Sequence, residues 1–419
     1  MSSSLPAPEA EFQRTHIFAL AAMISSAAAV GAGISLGLPL LSLVLEARGV
    51  SGAMIGLNTA MAGIASLVVI PFVTPLAARI GAWRLLIGAL LTTGVSFYGF
   101  HIVENYWGWF PLRLVFHGSL TVAFVMSEFW INSLSPPGRR GLVMGIYATI
   151  LSLGFSAGPA VLAVVGSHGP LPFAIGSVIL IAAALPVLTA VSETPELEPG
   201  PRRSVIGFVF AAPVATFAAL AFGAIESGGM AILPIYGLRL GLTETVAAKL
   251  VSAVALGNLL MQIPIGMLSD RIDRRDMLLA CAAVGVLGAL ALPLVAPDFW
   301  QTALVLVVWG GVVAGLYTVG LTLLGASYSG SNLAAANAAF IMMYSVGMLI
   351  GPPAIGAGLD VFADRHSPHG APYVMAGIFA VYLAIVLAER GWRWLAPRLG
   401  SKQGCDLGSE PSEIGAGDP

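Results

Sequence analysis

Long apolar runs, each closed by a short polar or Gly/Pro-rich break, follow one another along most of this chain. Twelve can be placed, at about 17–45, 53–77, 84–101, 109–132, 141–166, 170–192, 205–236, 245–268, 276–296, 299–324, 334–358 and 371–394. Each is near or above the roughly 20 residues an α-helix needs to cross a bilayer. They greatly exceed the roughly 9–11 residues of a membrane barrel strand and show no sustained alternation, so helices are predicted throughout. Met1–Gln13 ahead of the first run is polar and acidic, and that run is longer than a signal-peptide core, so it reads as an uncleaved first span.

Composition fixes the solvent. Of 419 residues, 57% are hydrophobic and 10% charged, whereas an ordinary soluble domain carries about 25% charged residues. The chain is therefore predicted to be an all-α integral membrane protein whose main partner is the lipid bilayer. A formal net charge of −2, with no basic stripe interleaved with aromatics, gives no reason to expect nucleic acid. Cys281 falls in an apolar run and Cys405 in a polar tail, so no disulfide is expected.

Basic residues set the orientation, because those near span ends are retained in the cytoplasm. With the N-terminus inside, 14 of the 19 Lys and Arg fall on the inner side: Arg14, Arg79, Arg84, Arg139, Arg140, Arg202, Arg203, Arg271, Arg274, Arg275, Arg390, Arg393, Arg398 and Lys402. Arg48, Arg239, Lys249 and Arg365 fall outside, and Arg113 lies within a span. Both termini are thus expected in the cytoplasm, with the chain crossing the cell inner membrane as a multi-pass monomer.

The segment Glu193–Arg203, with Pro195, Pro199 and Pro201 among charged residues, divides the spans six and six. The expected organisation is an N-terminal tail (1–16), a six-helix half (17–192), a cytoplasmic inter-half loop (193–204), a second half (205–394) and a C-terminal tail (395–419). The halves repeat at an offset of 192 to 193 residues, as duplication of a six-helix unit would leave them. Gly49-Val50-Ser51 matches Gly241-Leu242-Thr243, with Ser51 and Thr243 as N-caps. Pro75–Ile80 aligns with Met267–Ile272, and Gly154-x-x-x-Gly158-Pro159 with Gly347-x-x-x-Gly351-Pro352.

Gly266-Met-Leu-Ser-Asp270-Arg271-Ile-Asp-Arg274-Arg275 resembles the signature loop of the major facilitator superfamily, and the Gly-x-x-x-Gly-Pro of span 5 is similar to its antiporter-associated motif. The resemblance covers about residues 17–394. Glu128-Phe-Trp-Ile-Asn132 through Arg140-Gly141 also resembles the YcaD-like bacterial branch. Two positions depart from the pattern: Ala78 stands where the first-half loop carries an acid, and His117, not Gly, follows Arg113 by four residues. The resemblance implies twelve helices in two pseudo-symmetric halves, with the third and sixth helix of each half facing lipid. Polarity agrees: the cores of spans 9 (277–296) and 12 (374–388) hold no Ser, Thr, Asn, Gln, His or charged residue, while span 4 (110–131) holds six.

An ionisable side chain at membrane depth costs a few kcal/mol or more, so it marks a cavity, an ion path or a partner. Glu226 is followed by Ser227-Gly228-Gly229 and Pro234, expected to weaken span 7 and free carbonyls to line a cavity. Its carboxyl could take up and release a proton in a cycle, or could simply bond across a helix interface. Arg113 could attract an anionic group or pair with a proton-carrying carboxylate, or could form a structural pair with Glu104. His117, one turn on, is a relay candidate or a packing residue. Glu128, near the inner end of span 4, is expected to meet Arg140 or an arginine of the 2/3 loop, such as Arg79, as a gate.

The resemblance assigns conformational control to Asp270, Arg271, Arg274 and Arg275, which also set topology. Gly154, Gly158, Pro159, Gly347, Gly351 and Pro352 allow close helix approach. Asn58, Asn258, Gln262, Tyr317, Asn337 and Tyr344 are uncharged cavity-lining candidates. Gly154-x-Ser156-x-Gly158 imitates a hydrolase nucleophile elbow but lies inside an apolar helix. No catalytic constellation, ATP-cradling loop or metal motif is present in the sequence, so no cofactor is expected. The reading is a secondary active transporter of a small organic solute, proton-coupled, with export favoured. The alternatives are an uptake symporter or uncoupled facilitator of a metabolite and, more remotely, a membrane enzyme or non-transporting sensor.

Overall fold

A computed structural model describes residues 7–135, 140–194, 205–296, 298–328, 330–361 and 369–403. Hydrocarbon offers the backbone no hydrogen-bonding partner, so each apolar run satisfies its amides internally as a helix. The twelve spans are 1 (Ala7–Ala47), 2 (Gly52–Ile80), 3 (Ala82–Ile102), 4 (Trp109–Leu134), 5 (Arg140–Val165) and 6 (Leu171–Thr189) in the first half. The second half holds 7 (Pro213–Arg239), 8 (Glu244–Ser269), 9 (Arg274–Val295), 10 (Phe299–Ser327), 11 (Gly330–Val361) and 12 (Gly370–Gln403). Helical backbone thus extends into both expected tails. Most of the expected inter-half loop, 195–204, lies outside the described residues.

The two halves end and restart their helices alike. Gly49 (φ 75°) and Gly241 (φ 85°) take the left-handed conformation that closes spans 1 and 7. The next residue's N–H turns back in each case, Val50 to the Leu45 carbonyl and Leu242 to the Gly237 carbonyl, both at 3.1 Å. Ser51 then caps span 2 by accepting from the Met54 N–H at 3.4 Å. Thr243 has the same extended backbone but makes no side-chain cap bond.

Close packing repeats as well. A Cβ on Gly154 would lie 2.2 Å from the Ala28 carbonyl oxygen, and one on Gly347 2.1 Å from that of Leu220. Ala28 and Leu220 are 192 residues apart, so span 5 packs on span 1 as span 11 packs on span 7. Gly158 meets Ser35 and Leu36, and Gly351 meets Ala224, at similar range. Ser156, the false nucleophile, donates to the Ser152 carbonyl within the helix.

Span 7 departs from expectation in staying helical through Ser227-Gly228-Gly229 and Pro234. Gly228 is spent on close approach instead: its missing Cβ leaves room for Ile355, Gly351 and Pro352 of span 11. The halves meet along spans 2 and 11, 5 and 8, and 1 and 7. The 2/11 seam is the tightest, since Cβ atoms on Gly52, Gly56 and Gly63 would fall 2.8, 2.2 and 2.6 Å from the carbonyl oxygens of Gly356, Pro352 and Ser345.

Candidate functional site

A cavity of about 380 Å³ lies between the halves, walled by spans 4 and 5 on one side and chiefly by spans 7, 8, 10 and 11 on the other. That size suits a small organic solute. The wall is mostly apolar and aromatic, with Phe124, Phe155, Phe222 and Trp309 among its residues. Six sequence candidates line it: Glu128, Glu226, Asn258, Gln262, Tyr317 and Tyr344. Leu292 of span 9 and Met375 of span 12 contribute at its margin.

Glu226 sits at the centre of this wall's polar chemistry. The Tyr344 hydroxyl of span 11 donates to its Oε2, so the carboxylate bridges two helices of the second half. One helical turn before it, Phe222 joins Tyr317 and Tyr344 in an aromatic cluster, with ring centroids 5.7 and 6.2 Å from Phe222 and 5.9 Å between the tyrosines. Tyr317 lines the same cavity as Glu226 and Glu128. Glu128 shares the first-half wall with Tyr147, whose buried hydroxyl has no hydrogen-bond partner among the described residues. The side chain of Arg140, its expected gate partner, lies outside the described residues, and Arg79 is exposed at the end of span 2. Among the described residues lining the cavity there is no Lys, Arg or His.

Arg113, His117 and Asn58 do not join that lining. They form a separate, fully packed cluster between spans 2 and 4. Arg113 is 0% exposed and donates from Nε to Asn58 Oδ1 at 2.7 Å, rather than pairing with Glu104. Its two terminal nitrogens, Asn58 Nδ2 and His117 Nε2 have no partner among the described residues. A turn or two deeper the same interface is closed by Ser66 and Thr121, 2.9 Å apart. Asn337 on span 11 also lies off the cavity, its Oδ1 buried without a described partner. The sequence puts both asparagines in the lining; Asn58 is held in the 2/4 interface instead, and Asn337 is not among the described lining residues.

The face carrying the 1/2, 5/6, 7/8 and 11/12 connections is latched across the halves. Arg239 grips Glu46 with two bonds, Nε to Oε1 at 2.9 Å and Nη2 to Oε2 at 3.2 Å, and reaches Asp360 Oδ1 at 3.0 Å. Asp360 also accepts the Gly52 and Ala53 N–H groups at 3.0 and 2.8 Å, where a carboxylate complements the positive end of span 2. On the other seam Glu244 accepts the Ser167 N–H at 2.5 Å and meets His168 Nδ1 at 3.3 Å. None of these residues is among the sequence candidates. A signal exists: Glu46 and Arg239 are 193 residues apart and so join equivalent positions of the repeat, while Ser167 and Asp360 (193 apart) and Gly52 and Glu244 (192 apart) make the other two latches counterparts of each other.

The signature loop docks within its own half. Asp273 caps span 9, Arg275 pairs with Glu389 of span 12, and Arg390 meets Asp276 at 2.7 Å. Asp270 and Arg271 are exposed, and Arg274 is half-buried.

Comparison with known proteins fits this architecture. A family model described as Major Facilitator Superfamily matches residues 23–255 and 215–403. An uncharacterized MFS-type transporter, YfkF of Bacillus subtilis, is 27% identical over 388 residues, covering 90% of this chain and 97% of its own. YcaD of Escherichia coli, also an uncharacterized MFS-type transporter, is 22% identical over 300 residues, 70% of this chain and 75% of its own. Among solved structures, the nucleoside transporter NupG superposes with a TM-score of 0.71 at 14% identity, over 89% of this chain and 98% of that one. A bacterial homologue of the human lysosomal transporter Spinster, inward-facing and unoccupied, gives 0.69 at 15% identity, over 89% and 96%. At such identity the two structures share the fold with this chain.

Proposed function

We propose that this chain, which belongs to the major facilitator superfamily, is a proton-coupled exporter that carries a small organic solute through the inter-half cavity by alternating access. That it is a transporter and not an enzyme follows from its family and relatives; coupling, direction, orientation and a monomeric state are our reading. The observation that carries it is Glu226, a carboxylate in the cavity wall with a phenol from span 11 as its partner. An ionised carboxylate at this depth calls for compensation, and a proton from either side of the membrane supplies it. Protonation adds a donor to Glu226 and removes the charge that strengthens its bond from Tyr344, which loosens the tie between spans 7 and 11, both of which carry inter-half contacts.

The excess of basic residues on one side supports both termini in the cytoplasm of a bacterial inner membrane, and on that reading the latched face is the outer one and the cavity opens inward. Glu128, toward the inner end of span 4, then stands on the cytoplasmic approach to the cavity. Export is supported by the similarity of the span 5 motif to antiporters. In proteoliposomes, Glu226→Gln should abolish solute movement driven by a pH gradient while solute exchange at equal pH continues. Uphill transport at the wild-type rate in that variant would remove Glu226 from the coupling mechanism.

A further inference from the structure

We infer that the solute taken by this cavity is an amphipathic organic cation, a compact aromatic or alkyl body bearing a positive nitrogen or phosphorus centre. The inference deepens the transporter reading and rests on it for the movement of the solute, but its first step, binding, can be tested without transport.

Charge decides the class. Two carboxylates, Glu128 from the first half and Glu226 from the second, face one cavity, and no described lining residue is basic. The basic group at span depth in the first half, Arg113, is sealed into the 2/4 interface and does not reach this space. An anionic solute would therefore enter a wall of its own sign with nothing to offset its desolvation. A cation meets a carboxylate from each half across one space, with the Tyr317 ring on the same wall.

Shape and softness agree with charge. Phe222, Tyr317 and Tyr344 present a clustered set of ring faces and edges beside Glu226, and a cation over an aromatic face gains electrostatically, more so where water is excluded. Met230 and Met375 add adaptable apolar surface to the same wall, which suits a range of bodies more than one rigid outline. Of the polar groups that remain, the Ser152 and Thr318 hydroxyls donate to the Ala148 and Ala314 carbonyls of their own helices, and Tyr147, Asn258 and Gln262 are few against the ring of hydroxyls a polyhydroxylated solute carries. Proton and solute would then compensate the same carboxylates in turn, a direct physical basis for exchanging one for the other.

The test uses ions matched in shape and opposite in charge. Tetraphenylphosphonium, tetraphenylborate and neutral triphenylphosphine oxide would be measured by equilibrium dialysis against the purified full-length protein in detergent, with detergent blanks. Saturable tetraphenylphosphonium binding at least tenfold tighter than either of the others is expected, falling at least tenfold in Glu226→Gln, in Glu128→Gln or in the double variant. Equal affinity for the three, preference for the borate, or undiminished phosphonium binding in a folded double variant would overturn the inference. The wild-type comparison needs no variant, so a misfolded mutant cannot hide the answer. Binding of the phosphonium without movement in proteoliposomes would contradict the transport reading and leave the cation class intact. Uphill movement of some other solute by a protein that ignores the phosphonium would do the reverse.

Discussion

Arg113 and Glu226 are both ionisable groups held at span depth, one in each half, and the protein treats them in opposite ways. Arg113 is wedged between spans 2 and 4 with one hydrogen bond, to Asn58, and two terminal nitrogens left without a described partner. Glu226 lies against open space, with a tyrosine on a neighbouring helix to answer it. A charge sealed into packing is a standing cost that changes only if the packing changes. A charge beside a cavity can be neutralised, released and neutralised again while the helices keep their cores, and for that reason we propose the second half as the source of the working group.

Breaking the Glu226 side should cost most. Gly223 lets span 7 approach span 11 so closely that a Cβ would lie 2.3 Å from the Tyr344 carbonyl oxygen. Gly223→Leu should force spans 7 and 11 apart, shifting the backbone that carries Glu226 as well as breaking its bond from Tyr344, and lower pH-driven transport at least tenfold in reconstituted vesicles. On the Arg113 side the sign reverses. Arg113→Met combined with Asn58→Leu should raise the stability of the detergent-solubilised protein by about 1–4 kcal/mol, taking as a guide the range for apolar replacement of buried ion pairs. A lower unfolding midpoint would mean that Arg113 is compensated by something the described residues do not supply.

The latches offer a smaller perturbation. Arg239→Gln removes the bond to Glu46 and the bridge to Asp360 but leaves the glycine seam of spans 2 and 11. Labelling of a single cysteine at Ala255 from the outer side should rise several-fold, and unchanged labelling would leave closure of that face to the seam and the remaining Glu244 and Asp360 contacts. Tyr344→Phe, which keeps the ring and deletes the phenol, should have the mildest effect, a few-fold loss of transport corresponding to about 1 kcal/mol for a single hydrogen bond.

The spans, the two halves and their glycine contacts are legible in the sequence because the bilayer writes them into composition: apolar runs of helical length, and small residues wherever two backbones must touch. Glu226, Glu128 and Tyr344 stand out for a related reason, since polar side chains are rare in such runs. Asn58 and Arg113 are misplaced by sequence because nothing local says which of two helix faces meets a neighbour 55 residues away. The aromatic wall around Phe222 and Trp309 is hidden by the same hydrophobicity that reveals the spans. Glu46, Arg239, Glu244 and Asp360 look only like charges at helix ends, although the repeat offset places their contacts at equivalent points of the two halves.

The central claim is that proton and solute share Glu226. It is tested most directly by adding tetraphenylphosphonium to the purified protein in weakly buffered detergent solution and following proton release with an indicator dye from about pH 5 to 9. The account predicts release approaching one proton per bound cation over part of that range, and none in Glu226→Gln. Saturable binding with no proton released at any pH, or release undiminished in the variant, would contradict it.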